Sequence, residues 1–248
     1  MSSPEEMERL MPGHEAALAV FKSNEYTARY LSLQSHYAVP IRSRVLKKSG
    51  EDGFFGETVQ TPRTIPHAVT LCRREDLLPA RLPQSTSEAG YIGAFPPPGK
   101  GEGLDRARQI AENMRDDEVD IIALIELGSP GLDGHPRLLH GGIACMLIDE
   151  MMSIAIGVHI GGERSPVSNV AVKKSKEDLG MLYTAQLDVR YRAPVRTSAF
   201  VVLKAWTIAK EGRKLFVRAS INQEQNGQEI ICCEGYSVFM TTGKSAKL

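Results

Sequence analysis

With 248 residues, the chain has room for one domain with extensions or for two small ones, and in either case for a core of ordinary size. Its 30 Lys and Arg are balanced by 30 Asp and Glu, which excludes a globally basic surface for nucleic acid or anionic lipid and leaves any anionic ligand to a local cluster. Apolar runs such as Ile121–Ile125 fall far short of the ~20 residues that a membrane span needs, so a soluble protein is expected.

Taken in chain order, Ser3-Pro4-Glu5-Glu6 has the form of a capping box with proline at the first helical position, and predicts a short helix ending near Pro12-Gly13. A leader with an apolar stretch is not expected beside Glu5, Glu6 and Glu8, and a cytoplasmic location is the expectation, a mitochondrial one staying open. A second short helix is expected from Glu15 to Ser23. Pro79 to Gly103 is dense in Pro, Gly and Ser and reads as a long surface loop; Leu104 to Asp117 is charged and reads as a solvated helix.

From Val119 the pattern is regular. Val119 to Leu127 suits a buried strand, Gly128 to Gly134 is turn chemistry, and Gly141 to Gly157 is apolar over a helical length. In 183–192, Tyr183, Ala185, Leu187, Val189 and Tyr191 alternate with Thr184, Gln186, Asp188, Arg190 and Arg192, the pattern of a half-buried strand. Phe200 to Ala209, Leu215 to Gln223 and Gln228 to Thr241 follow, separated by Glu211-Gly212 and by the hairpin signal Asn226-Gly227. The expected class is α+β: a strand, one long helix, then a four-stranded antiparallel meander wrapping it, at 119–248, preceded by an extension of short helices and loop at 1–118. Cys72, Cys145, Cys232 and Cys233 have neither metal-ligand spacing nor disulfide density; they read as reduced core thiols, and no metal or other cofactor is expected.

The start of the long helix is where chemistry is expected. First-turn N–H groups have no intrahelical acceptor and lie at the positive end of the dipole, so they stabilise a developing oxyanion. Gly141 and Gly142 let a carbonyl approach that backbone without meeting a Cβ, and losing one such donor typically costs ~3 kcal/mol of barrier. His140 stands just before them, where an imidazole can orient the loop or a thioester; alone, it would read as an ordinary loop histidine. Asp149 lies seven positions after Gly142, ~10 Å along a helix, among Ile143, Met146, Leu147, Ile148, Met151 and Met152. A carboxylate there must find a partner, face an interface or do chemistry. On spacing alone a structural and a catalytic role stand level, with Glu150 as the solvent-facing neighbour.

His140-Gly141-Gly142 with Asp149 resembles the signature of the hotdog thioesterases of the phenylacetate-pathway type. The segment Tyr183 to Pro194 resembles the strand those enzymes set beside it. Glu211-Gly212-Arg213-Lys214-Leu215-Phe216-Val217 is most similar to the carboxyl-terminal-modulator-protein-like acyl-CoA thioesterases. The resemblance runs from Asp120 to Met240. It implies a hotdog fold, hydrolysis of an acyl-CoA or acyl carrier protein thioester, and a homodimer or dimer of dimers with sites shared between copies. It further implies that the Gly142 N–H polarises the carbonyl while Asp149 of the other copy acts as nucleophile or as base for water. Thr184 would assist that carboxylate, Gly141 would take part in binding the substrate at the helix start, and Arg190, Arg192, Arg213 and Lys214 would hold the CoA phosphates or pantetheine. A solvated sheet face is an equal reading of those four cations.

Two departures stand out: His159 to Gly180 resembles an insertion, and Asp133-Gly134 stands where some relatives have Asn. Phe54-Phe55-Gly56-Glu57-Thr58 to Arg63-Thr64-Ile65-Pro66 is faintly similar to fungal members that serve secondary metabolism. Three rivals share the fold: a dehydratase using His135 and Glu150, a thioester cyclase or transferase, and a non-catalytic acyl-CoA-binding protein.

Overall fold

The computed structural model describes residues 13–39, 41–45, 50, 52–84, 114–160 and 181–242. The helix expected from Ser3, the loop beyond Gln84, most of the 104–117 helix and the insertion after Ile160 lie outside the described residues; Met114 to Asp117 are not helical.

Helices α1 (His14–Lys22) and α2 (Glu25–Leu31) open the described chain, the second capped by the Asn24 side chain, which accepts from the Thr27 N–H at 3.2 Å. Strands β1 (His36–Val39) and β2 (Ala68–Arg73) follow, then β3 (Ile121–Leu127), a small pair β4 (Asp133–His135) and β5 (Leu138–Leu139), the long helix α3 (Gly141–Ile160), and β6 (Leu182–Tyr191), β7 (Ala199–Glu211), β8 (Lys214–Gln225) and β9 (Gln228–Thr241). The main sheet has seven strands in the order β1-β2-β3-β7-β8-β9-β6, every neighbouring pair antiparallel. A large antiparallel sheet wrapped on one long helix is the hotdog fold.

Two points differ from the expected layout. The meander is three-stranded, β7-β8-β9, because β6 crosses to the far side and pairs with β9; it therefore ends the sheet as an edge. In addition, β1 and β2, both within 1–118, extend the same sheet beyond β3. The hairpin at Asn226-Gly227 forms as its residues demand, both at positive φ (55° and 75°) between Gln225 and Gln228.

Each sheet face carries its own core. On one, Ala144, Leu147, Ile148, Met151, Met152, Ala155 and Ile156 recur at helical spacing and pack α3 against β3, β7, β8 and β9. Gly235 lets that helix approach: a Cβ there would come to 2.8 Å of Met152 Cε and closer still to Ile148 Cγ2. By length and composition α3 is apolar enough to cross a membrane, unlike the shorter run Ile121–Ile125; here Leu147, Ile148, Met152 and Ile156 are fully buried against the sheet. On the opposite face, Ala17, Phe21, Tyr26 and Tyr30 of α1 and α2 pack on Trp206, Phe216 and Tyr236.

Candidate active site

The loop before α3 is tightly tied. Asp133 accepts from the Thr197 hydroxyl (2.6 Å), the Ser129 hydroxyl (2.8 Å) and the Arg137 N–H (3.0 Å), and these bonds, Thr197's first, hold its carboxyl below the usual range. Its oxygens are thereby spent on shaping the loop. Gly134 packs on His140, with no room for a Cβ, which would lie 2.9 Å from His140 Cα. The His140 N–H donates to the Leu132 carbonyl and the Leu139 N–H to that of Val195, both at 2.9 Å. The residue entering the helix is thus fixed from two sides.

At the helix start, Ile143 and Ala144 donate back to the His140 carbonyl at 3.0 and 3.2 Å. The Gly142 N–H donates to His140 Nδ1 at 3.0 Å. That bond requires a lone pair on Nδ1, so the ring proton of the neutral imidazole sits on Nε2, which is thereby a donor. The N–H expected to polarise a carbonyl is therefore capped by His140, while among the described residues no acceptor meets the Gly141 N–H. Tyr191, at the end of β6, donates its hydroxyl to the Gly141 carbonyl at 2.9 Å and lies 3.0 Å from Cys145 Sγ. A cavity of about 330 Å³ opens beside these residues, lined by Leu139, Gly141, Ala144, Tyr191, Val195 and Cys233 among others.

Two turns along α3, Asp149 Oδ1 accepts the Thr184 hydroxyl at 2.9 Å. The pairing expected from the resemblance is present within one chain. Burial pushes the Asp149 carboxyl above its ordinary range, and the Thr184 bond offsets part of that rise. Asp149 remains ~10 Å along the axis from Gly142, whereas reacting atoms must come within ~3.5 Å, so one chain does not bring carboxylate and helix start onto the same carbonyl.

Strand β6 connects the two halves. Strict alternation would put Thr184 and Tyr191, seven residues apart, on opposite faces. A register shift between Thr184 and Gln186 turns Thr184 to the helix side, which Leu187, Val189 and Tyr191 share. This corrects the alternation read from the sequence, where Thr184 stood with the outward set.

The four cations are not gathered. Arg192 pairs with buried Glu234 at 2.5 Å, and Arg190 is opposite Glu234 in register, on the face away from α3. Arg213 and Lys214 belong to the β7–β8 turn at the other end of β6, where the Arg213 carbonyl accepts from Thr241, itself opposite Leu182. His135 is exposed on β4, and it is His140 that meets the helix start. Cys72, Cys232 and Cys233 are buried thiols pushed up by burial to about 12, 11 and 12. Among the described residues no group of three His, Cys, Asp or Glu has the arrangement of a metal site.

Tyr191, Cys145 and Asp133 were not singled out as site residues by sequence reasoning. By alternation Tyr191 reads as an apolar strand position; the signal for more is its aromatic hydroxyl at a strand end next to Arg-Ala-Pro.

Residues 137–230 match the sequence profile of the thioesterase superfamily. Acyl-coenzyme A thioesterase THEM4 of Bos taurus is 31% identical over 105 residues, which are 42% of this chain and 35% of that protein; the match thus spans about a third of the relative's length. Among solved structures, a thioesterase superfamily protein is 25% identical over 48% of this chain and 50% of its own, with a TM-score of 0.35. Thioesterase superfamily member 2 of Mus musculus is 12% identical over 50% of this chain and 80% of its own, with a TM-score of 0.36.

Proposed function

We propose that the protein, whose residues 137–230 match the thioesterase-superfamily profile and which has a hotdog fold, hydrolyses acyl thioesters, acyl-CoA first among them, in sites shared by two copies of the chain. The observation that carries this reading is the double anchoring of β6: Thr184 to Asp149 at one end, Tyr191 to Gly141 at the other. Pairing the exposed edge of β6 antiparallel with a second β6, about a two-fold axis midway between Leu187 and Asp188, sets residue 184 of each copy opposite residue 191 of the other. Asp149 of one copy then faces the Gly141 helix start of the other. The exposure of Met181, Tyr183 and Tyr191, 44%, 42% and 56%, supports an edge that is covered in use.

In such a site the Gly141 N–H, which the loop leaves without an acceptor among the described residues, and the Nε2–H of His140 meet the thioester carbonyl. Asp149, ionised, either takes the proton of an attacking water and passes it to the thiolate as the C–S bond breaks, or attacks the carbonyl carbon itself; in that second route the C–S bond breaks, the thiolate leaves, and water cleaves the acyl–Asp149 anhydride to the free acid, its protons going to the thiolate and the solvent. Arg213 and Lys214 of one copy come near the Tyr191 end of the other, where a phosphate-bearing tail would leave the cleft.

Incubation with a panel of acyl-CoA and acyl carrier protein thioesters, read by thiol release and mass analysis, tests the reading. Free acid plus thiol is expected, with CoA esters preferred. An enoyl product, a cyclised product, or binding without turnover would each overturn it in favour of a dehydratase, a cyclase or a binding protein.

A further inference from the structure

Tyr191, Cys145 and the Gly141–Gly142 peptide form a chain of hydrogen bonds that hydrolysis as described does not use. The Tyr191 phenol is pushed up to about 12, by burial first and by Cys145 next, so it carries its one proton throughout the neutral range. That proton goes to the Gly141 carbonyl at 2.9 Å, and the phenol oxygen is left to accept from Cys145, whose Sγ is 3.0 Å away. The Gly141 carbonyl and the Gly142 N–H are the two ends of one peptide group. Polarising the carbonyl strengthens the N–H as a donor, and this N–H is bonded to His140 Nδ1 at 3.0 Å. The phenol is thereby linked, through a single rigid peptide, to the ring whose proton sits on Nε2.

Sterics enforce the same geometry. A Cβ on Gly141 would sit 3.2 Å from the Tyr191 hydroxyl, and one on Gly142 would sit 3.2 Å from the His140 ring. Each glycine is small where its neighbour must close on the peptide.

We infer that Tyr191 is a positioning residue that, through the Gly141–Gly142 peptide, holds the His140 imidazole in its Nε2–H tautomer and orients it toward the acyl carbonyl. The kinetic part of this inference rests on the thioesterase reading; the part concerning the tautomer does not.

Tyr191→Phe separates the hydroxyl from the ring, because the wall of the cavity and the strand packing stay. Two measurements on the full-length protein decide the matter. In 15N-histidine-labelled protein, with the His140 signals assigned by their loss in His140→Gln, the wild type is expected to show the pure Nε2–H pattern and Tyr191→Phe a mixture of tautomers. With a thioester that the wild type turns over, kcat is expected to fall about five- to tenfold with KM within about twofold, the scale of one hydrogen bond lost from the transition state alone. An unchanged His140 pattern in Tyr191→Phe overturns the inference, as does an unchanged kcat. Should the wild type hydrolyse no thioester at all, the proposed function fails, and the tautomer measurement still decides the role of Tyr191.

Discussion

Asp149 is held in a compromise between burial, which favours its protonated form, and the Thr184 hydroxyl, which favours the ionised form that hydrolysis needs. Replacing it by Asn keeps its size and its contact with Thr184 but removes nucleophile and base, and kcat is expected to fall by ~10² to 10⁴ at similar KM. Glu150→Gln should change kcat by less than about tenfold, ~1.4 kcal/mol of barrier. Steady-state kinetics on both variants would refute the assignment if Glu150→Gln were the dead enzyme. The pH dependence follows in sign. A carboxyl raised by burial loses its proton above the ordinary range, so kcat should fall on the acid side at a pH above that range. Thr184→Ala removes the bond that favours the charge and should move this limb to still higher pH; a limb that stays or moves down would count against Thr184 acting on Asp149. Stability runs the other way: the unfolded carboxyl ionises first, so the folded state loses stability as pH rises from the unfolded pKa through the folded one. Asp149→Asn avoids that loss and should melt at or above the wild-type temperature at neutral pH.

Helix α3 and strand β6 set the distances. The helix could be read from the sequence because its apolar positions recur at a spacing that only a helix places on one face. Its depth against the sheet depends on Gly235, on β9, where any side chain would collide with Ile148 and Met152. Gly235→Ala should therefore destabilise the fold by about 1–3 kcal/mol, the usual cost of overpacking. Thermal or urea unfolding would show it, and an unshifted midpoint would mean that the helix shifts freely on the sheet. Strand β6 could be read as a strand but not as an edge, because period-2 alternation says nothing about which neighbour a strand pairs with.

Across the whole molecule, the shared site makes a prediction that no single-chain site can imitate. Asp149→Asn and Gly141→Val each should be inactive alone, the first lacking the carboxylate and the second blocking the helix start against Tyr191. Mixed and allowed to exchange subunits, half of the dimers would be mixed, each with one intact site of two, for about a quarter of wild-type activity. Mixtures that stay as inactive as their components would place both groups in one chain's own site. The opposite face of the sheet has a different fate: Tyr26, Tyr30 and Phe21 of α1 and α2 cover Trp206 and Phe216, so the chain before β3 serves the sheet on both an edge and a face.

What the sequence by itself determined is local and periodic. The apolar helix, the strand runs, the Asn226-Gly227 hairpin and the glycine pair behind His140 follow from spacing, turn chemistry and the absence of a Cβ, all of which act within a few residues. The resemblance in those same residues carried the Thr184–Asp149 pairing. What only the tertiary structure decided is which groups meet. The bulge beside Thr184 reverses the parity of β6, so residues seven apart share a face. Arg192 is committed to Glu234 on the far face, Asp133 is consumed by its loop, and His140 caps the Gly142 N–H. Each outcome turns on a partner distant in the chain, and no local pattern encodes which partner a strand edge, a carboxylate or a ring nitrogen meets once the sheet has closed on the helix.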